Sequence, residues 1–295
     1  MTLVAATPHE KGVNRARTAG DTIMWLVCGL ALAALVVPII WIIGQVVTRA
    51  IPHFHWSFLT QPTVGNGGGL SQAVLGTLVL MAMVGVIAGV TGVGAGIYLA
   101  EYARRRSASL LRGATEVLAG VPSIIVGYVG FTALAIGLKW KFSIWAAAIA
   151  LTAIVIPYIT KTTELALRGV PGSFREGAEA LGMRDILILR RISLRAASPG
   201  IITGLIMALA ISVGETAPLL YTAFWSVHNP TFGLHNSPVG YLTYPIWTFY
   251  NYPVKSATYL ATESAFFLVI LVGALIIASR LVSRRLSRYM PQGQG

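Results

Sequence analysis

Charge is scarce in this chain and cysteine almost absent. Only 11% of its 295 residues are Asp, Glu, Lys or Arg, less than half the roughly 25% of an ordinary soluble domain, and the mean hydropathy is +0.72. A water-soluble globule is excluded, and the chain belongs in a bilayer. The single cysteine, Cys28, excludes an intrachain disulfide and a cysteine-held metal; within an apolar run it reads as an inert small hydrophobe. No G-x-x-x-x-G-K-[ST] loop occurs, so the chain carries no P-loop of its own. Neither H-E-x-x-H, G-x-S-x-G nor a paired His/Cys cluster is found. No catalytic residue, metal site or cofactor bound by this chain is expected.

Apolar sequence is what the chain has in quantity. A hydrocarbon core about 30 Å thick needs roughly 20 apolar residues in a helix, and six runs qualify: 22–47, 70–100, 114–138, 143–160, 199–224 and 257–278. None alternates with period two, so a membrane β-barrel is excluded. The expected fold is an all-α integral membrane protein with six transmembrane helices. The 21 residues before the first run and the missing small-residue cleavage site argue that this run stays as an anchor rather than leaving as a signal peptide.

Negative charge is scarcer than positive, 10 residues against 22, for a net +12. Its distribution decides its meaning. Eighteen basic residues fall before the first run, between the second and third, between the fourth and fifth, and after the sixth; only Arg49, Lys139, Lys141 and Lys255 occupy the alternate gaps. This is the positive-inside pattern of a membrane protein with both termini cytoplasmic, not a nucleic-acid footprint. The chain divides into a cytoplasmic tail (1–21), a first helix with outer loop (22–69), a core (70–280) with a cytosolic loop at 166–198, and a basic tail (281–295).

In the second run Gly85 and Gly89, Ala88 and Gly92, and Gly92 and Gly96 are small residues four apart, the spacing that lets helices approach closely in lipid. The "GVGAG" within it fails as a dinucleotide fingerprint at Ile97, with no strand before it. His53, His55, His228 and His235 lie in outer segments rich in Trp, Tyr and Pro, where interfacial anchoring is the bland reading.

The cytosolic stretch "GSFREGAEALGMRD" (172–185) stands apart. Ser173 with Glu176 has the spacing of a capping box, predicting a helix from Phe174; Gly182 suits a left-handed stop. Asp185 can cap a second helix over 186–194, with Arg190, Arg191 and Arg195 near its end. Two turns of helix are marginal alone, and the small surface at Gly177, Ala178 and Ala180 suits close packing by a partner. A tidy connection between spans is the alternative.

The run "REGAEALGMRDILILRRISL" resembles the E-A-A-x-x-x-G-x9-I-x-L-P signature of ABC importer permeases: Glu176, Ala178, Gly182, Ile192 and Leu194 match, while Gly177 and Arg195 depart from it. With "IYLAEYA" (97–103), "LAGVPSIIVGY" (118–128) and "GETAPLLYTA" (214–223), the chain is similar to the A-type permeases of bacterial high-affinity phosphate importers. The resemblance implies a type I ABC importer permease fold in the bacterial cell membrane. It implies as partners a second permease subunit forming a heterodimer, two copies of a cytosolic ATPase that binds ATP and Mg, and an external phosphate-binding protein. It also implies that Arg175, Glu176, Gly177, Ala178, Glu179, Ala180 and Gly182 form the coupling helix that sits on the ATPase.

Pro122 and Pro218 each remove a helix hydrogen bond, which predicts kinks that free the carbonyls of Leu118 and Gly214; irregular backbone at membrane depth is tolerated where it lines a cavity. Ser123, Ser212, Gly214 and Thr216 are therefore candidate pathway residues with those prolines. Helix-to-helix hydrogen bonding is the structural alternative for the hydroxyls. Glu215 repels an anion unless protonated or paired with an arginine of this chain or of the partner permease. Local spacing pairs Glu116 with Arg112, Glu164 with Lys161 and Glu101 with Arg104. A permease for another oxyanion, such as sulfate or molybdate, and a membrane scaffold subunit are the competing readings.

Overall fold

The computed structural model describes residues 8–287, so the ends of both predicted tails lie outside the described residues. The chain forms two units, Met1–Pro52 and His53–Gly295. The first is one helix, α1 (Pro8–Ala50), of 43 residues, about 64 Å at 1.5 Å per residue and longer than a bilayer core requires. It starts inside the stretch expected to be tail. Trp25, Leu30 and Trp41 on it are largely exposed, as in a lipid-facing span.

In the second unit α2 (Ser57–Thr60) precedes a short hairpin of β1 (Thr63–Val64) and β2 (Gly67–Gly68). Then come α3 (Ser71–Ile97), extended by a π-helical turn at Tyr98–Tyr102, α4 (Arg105–Gly120), and α5 (Ser123–Gly130), extended by a π turn at Phe131–Gly137. After α6 (Ile144–Arg168) and α7 (Gly172–Ala180), α8 (Asp185–Ile188) passes through a π turn at Leu189–Ser193 into α9 (Leu194–Gly214). The chain closes with α10 (Ala217–Thr222), α11 (Thr243–Thr248) and α12 (Lys255–Ser287).

Helix α6 is the centre of this unit, packed between α3 and α9, with α12 against α9. Its Ile144, Ala148, Leu151, Val155 and Ile159 are almost fully enclosed. The small residues of α3 divide into two stripes. A Cβ on Gly92 would lie 2.8 Å from the Cβ of Ile159, and one on Gly96 would lie 2.5 Å from that of Thr163, so this stripe permits backbone contact with α6. Gly85 and Gly89 instead meet Leu209 and Leu205 of α9 at ordinary contact distance.

Among the described residues five helical stretches are long and apolar enough to cross a membrane, and a sixth is reached when one bent helix pair is counted as a single broken span. The run at 114–138 is not one helix: Arg105–Gly120 and Ser123–Gly137 meet at 98°. Proline at 122 forces Val121 out of the helical region, and Val121 takes ψ 127°. The predicted fifth span also shifts. It begins at Asp185, absorbing the separate helix expected over 186–194, and stops at Gly214 rather than continuing to 224.

The cytosolic helix is present, but the capping box is not. α7 starts at Gly172 behind Pro171 with no side-chain cap bond. Pro171, with φ −56°, already presents its carbonyl to the N–H of Phe174 at 3.2 Å. The stop is as expected: Gly182 has φ +72°, its N–H donates to Glu179 O at 2.8 Å and that of Met183 to Ala178 O at 3.1 Å, the two bonds of a Schellman end. Gly182→Ala is expected to destabilise α7 by about 1 kcal/mol. The readout is roughly fivefold faster amide exchange over 174–181, with exchange in α6 unchanged.

Candidate functional site

Pro122 and Pro218 do not kink continuous helices; each starts a new one. Pro122 caps α5, and the Leu118 carbonyl expected to be free accepts the N–H of Val121 at 3.3 Å. Glu215 is extended (φ −71°, ψ 132°) and Thr216 caps α10, with Pro218 in its first turn. The two helices that follow the breaks pack on each other. A Cβ on Gly127 would fall 2.7 Å from Pro218 Cα, Gly130 faces the Thr222 methyl, and Tyr128 and Tyr221 meet edge to face at 6.4 Å. Contacts advance in the same direction along both helices, so the pairing is parallel and both breaks lie at one end of it. The structure thus brings the 122–123 break and the 214–216 break together, although they are some ninety residues apart in sequence.

The side chains at this end differ in what they offer. Pro122 and Gly214 are exposed, Ser123, Glu215 and Thr216 half-buried, and Pro218 and Ser212 buried. No ion pair engages the Glu215 carboxylate among the described residues, while its carbonyl accepts the Thr243 hydroxyl at 3.1 Å. Ser212 donates to Leu209 O within its own helix at 2.9 Å. Beside it lies a small cavity lined also by Thr77, Tyr241 and Thr243. Thr77 donates to Ala73 O at 2.8 Å. With the protons of Thr77, Ser212 and Thr243 committed to carbonyls, their oxygens present lone pairs, which do not attract an anion. The Tyr241 hydroxyl is buried with no hydrogen-bond partner among the described residues. Sequence reasoning missed Tyr241, since its loop gives no periodic signal of burial.

At the basic end, the charges paired by sequence spacing take other partners, two of them distant. Arg112 reaches Glu164 on α6 through Nε at 2.9 Å and Nη2 at 2.7 Å, and Arg168 joins the same oxygen at 3.0 Å. Neither Glu116 nor Lys161 supplies these bonds. Glu101 pairs not with Arg104 but with Arg175 of α7, by two parallel hydrogen bonds, one of 2.7 Å between Nη1 and Oε2. Arg175 therefore turns inward, as does Ala178, which is 3% exposed. Glu176, Gly177, Glu179, Ala180 and Gly182 remain on the outside. Phe174, Gly177 and Leu181, spaced by three and four, form an apolar line, with Leu181 83% exposed. The small face inferred from sequence is thus reset: Ala178 belongs to the inner side and Leu181 to the outer.

At the opposite end His53 stacks on Tyr259 at 3.9 Å and His235 Nδ1 lies 3.1 Å from Lys139 O, so both serve packing of the loops. Glu263 of α12, which sequence analysis passed over, is 6% exposed.

Comparison with known proteins places this architecture. Residues 92–290 match the family described as binding-protein-dependent transport system inner membrane component. The phosphate transport system permease protein PstA 2 of Mycobacterium bovis is 50% identical over 281 residues, covering 95% of this chain and 93% of its own length. That of Haemophilus influenzae, PstA, is 34% identical over 268 residues, covering 87% and 92%. Among solved structures, a bacterial alginate ABC transporter in complex with its periplasmic protein aligns with TM-score 0.64 at 13% identity, covering 94% of this chain and 98% of the other. The inward-facing methionine transporter MetNI aligns with TM-score 0.61 at 22% identity, covering 74% and 95%. At such identities these two speak for the fold alone. The chain belongs to the family of binding-protein-dependent transport system inner membrane components, among the phosphate transport system permease proteins.

Proposed function

We propose that this chain forms half of the translocation pathway of an ATP-driven phosphate importer, with its inner-side helix α7 seated on a cytosolic ATPase. The 50% identity to a phosphate transport permease over nearly the whole chain carries the substrate assignment, and the outward-facing Phe174, Gly177 and Leu181 carry the docking assignment. A chain with no P-loop leaves hydrolysis, and the binding of ATP and Mg, to that partner. A second permease subunit would complete the pathway, and an external phosphate-binding protein would deliver the substrate to the aromatic outer loops.

The pathway is assigned to the paired breaks. Ser123 and Thr216 stand half-buried where α5 and α10 begin, and the first turn of a helix carries N–H groups without intrahelical partners, which favour an anion. Pro122, Gly214 and Pro218 shape the opening, while Ser212 fills space beneath it. Glu215 is met by a cation of the second permease when phosphate passes, since an unpaired carboxylate there would repel it.

The docking assignment is tested with Glu176→Lys and Leu181→Asp in membranes containing the ATPase. Leu181→Asp is expected to reduce co-purified ATPase about tenfold, since a charge in an apolar contact costs more than the roughly 1.4 kcal/mol this represents, and Glu176→Lys to lower phosphate uptake. Wild-type ATPase retention in Leu181→Asp would remove α7 as the docking element.

A further inference from the structure

Building on the docking role assigned to α7, we infer that the Arg175–Glu101 pair is the link through which movement of α7 is delivered to α3, and that α3 carries it to the outer loops. Arg175 grips Glu101 at two points, and such a fork resists both sliding and rotation where a single contact would act as a pivot. The pair is sheltered, with side-chain exposures of 32% for Arg175 and 14% for Glu101, so screening by solvent ions is weak. A guanidinium so engaged is not free to contact the ATPase.

Glu101 lies on the π turn Tyr98–Tyr102 that closes α3, where the wider winding lets Ala103 N–H reach back to Tyr98 O at 2.8 Å. From there Ser71–Tyr102 is a continuous rod of 32 residues, about 48 Å long. Its middle is in backbone contact with α6 at Gly92 and Gly96. Its other end holds the outer loops: Gly76 lies directly against the Gly240 carbonyl, Thr77 Oγ1 accepts Leu242 N–H at 3.0 Å, and Gln72 Nε2 donates to Thr63 Oγ1 at 2.6 Å. The next residue after Leu242, Thr243, holds the Glu215 carbonyl at the break. One rod therefore joins the docking helix to the backbone beside the candidate pathway through polar contacts at both ends. A pair that only stabilised the fold would need no such connection.

The test uses vesicles holding the full importer, with phosphate imported per ATP hydrolysed as the readout and ATPase co-purification as the measure of assembly. Glu101→Gln and Arg175→Ala are expected to retain the ATPase while that ratio falls about tenfold, within the range of a coupling free energy. Arg175→Lys, which keeps charge but not the fork, should fall between. The exchange Glu101→Arg with Arg175→Glu should recover most of the ratio. An unchanged ratio in both single variants, or an exchange no better than either, would overturn the link. In a Cys28→Ala background, Glu101→Cys with Arg175→Cys gives an independent reading if the single variants do not accumulate. Joining the two thiols with a short bismaleimide should restore coupling that the unjoined form lacks, and equal coupling in both forms overturns the proposal. Wild-type ratios alongside ATPase loss in Leu181→Asp leave the docking role standing and remove the link alone; full retention in Leu181→Asp removes both.

Discussion

Glu164→Lys is expected to leave little correctly assembled permease in the membrane. One oxygen of Glu164 accepts two hydrogen bonds from Arg112, at 2.9 and 2.7 Å, and forms an ion pair with Arg168 at 3.0 Å, with only 10% of its side chain exposed. Through Arg112 this carboxylate fastens α4, the helix that turns by 98° into α5, onto the central α6. Reversing its charge replaces two attractions by two repulsions among three cations at the basic end. Charged hydrogen bonds contribute about 1.5–3 kcal/mol each, but the arginines are 38% and 51% exposed, so the lower part of that range applies. A fall of about 5 °C or more in the thermal transition of the detergent-solubilised chain is the expected result. Glu164→Gln, which keeps the shape without the charge, should lose less. The double variant Glu164→Ala with Arg112→Ala should cost less than the sum of the single changes, because its two sites share the same pair of hydrogen bonds. Strict additivity would show that α4 is held by its apolar contacts alone.

The places where sequence and structure part company have a common origin. Helix periodicity and small-residue spacing are local, and they located the spans, the α3 stripe and the left-handed stop at Gly182. The break at 121–122 was legible in principle, since a residue before proline leaves the helical region, but the largely apolar run from 114 to 138 masked it. Glu116 inside that run, with Arg112 just before it, was the further sign that it would not be one straight apolar helix. Ion pairs were misassigned because spacing of three or four residues detects partners only on the same helix, whereas Arg112 and Glu164 are 52 positions apart and Arg175 and Glu101 are 74 apart. The capping box failed for a local reason, in that Pro171 pre-set the helix start two residues before Ser173 could serve. Of the candidate pathway, the sequence identified the residues at each break. It carried no sign that the two breaks would lie side by side.

That juxtaposition yields the other large expected effect. Gly127→Val should abolish phosphate uptake while the chain still inserts. The new Cβ would stand 2.7 Å from Pro218 Cα and 3.2 Å from Ala217 O. Both obstacles are backbone, so no rotamer change relieves them, and overpacking of this kind costs about 1–3 kcal/mol or more. The strain can be released only by moving α10 away from α5, which separates the Ser123 break from the Glu215 break. Gly94→Ala is the matched control, because a Cβ there meets nothing within 4 Å and alanine favours the helix by roughly 1 kcal/mol; its uptake should equal that of the unaltered chain. Membrane abundance separates the outcomes. Loss of uptake at near-normal abundance follows if the two helices must touch for phosphate to pass. Normal uptake in Gly127→Val would mean that the contact between α5 and α10 opens during transport, and that the pathway runs elsewhere than between these breaks.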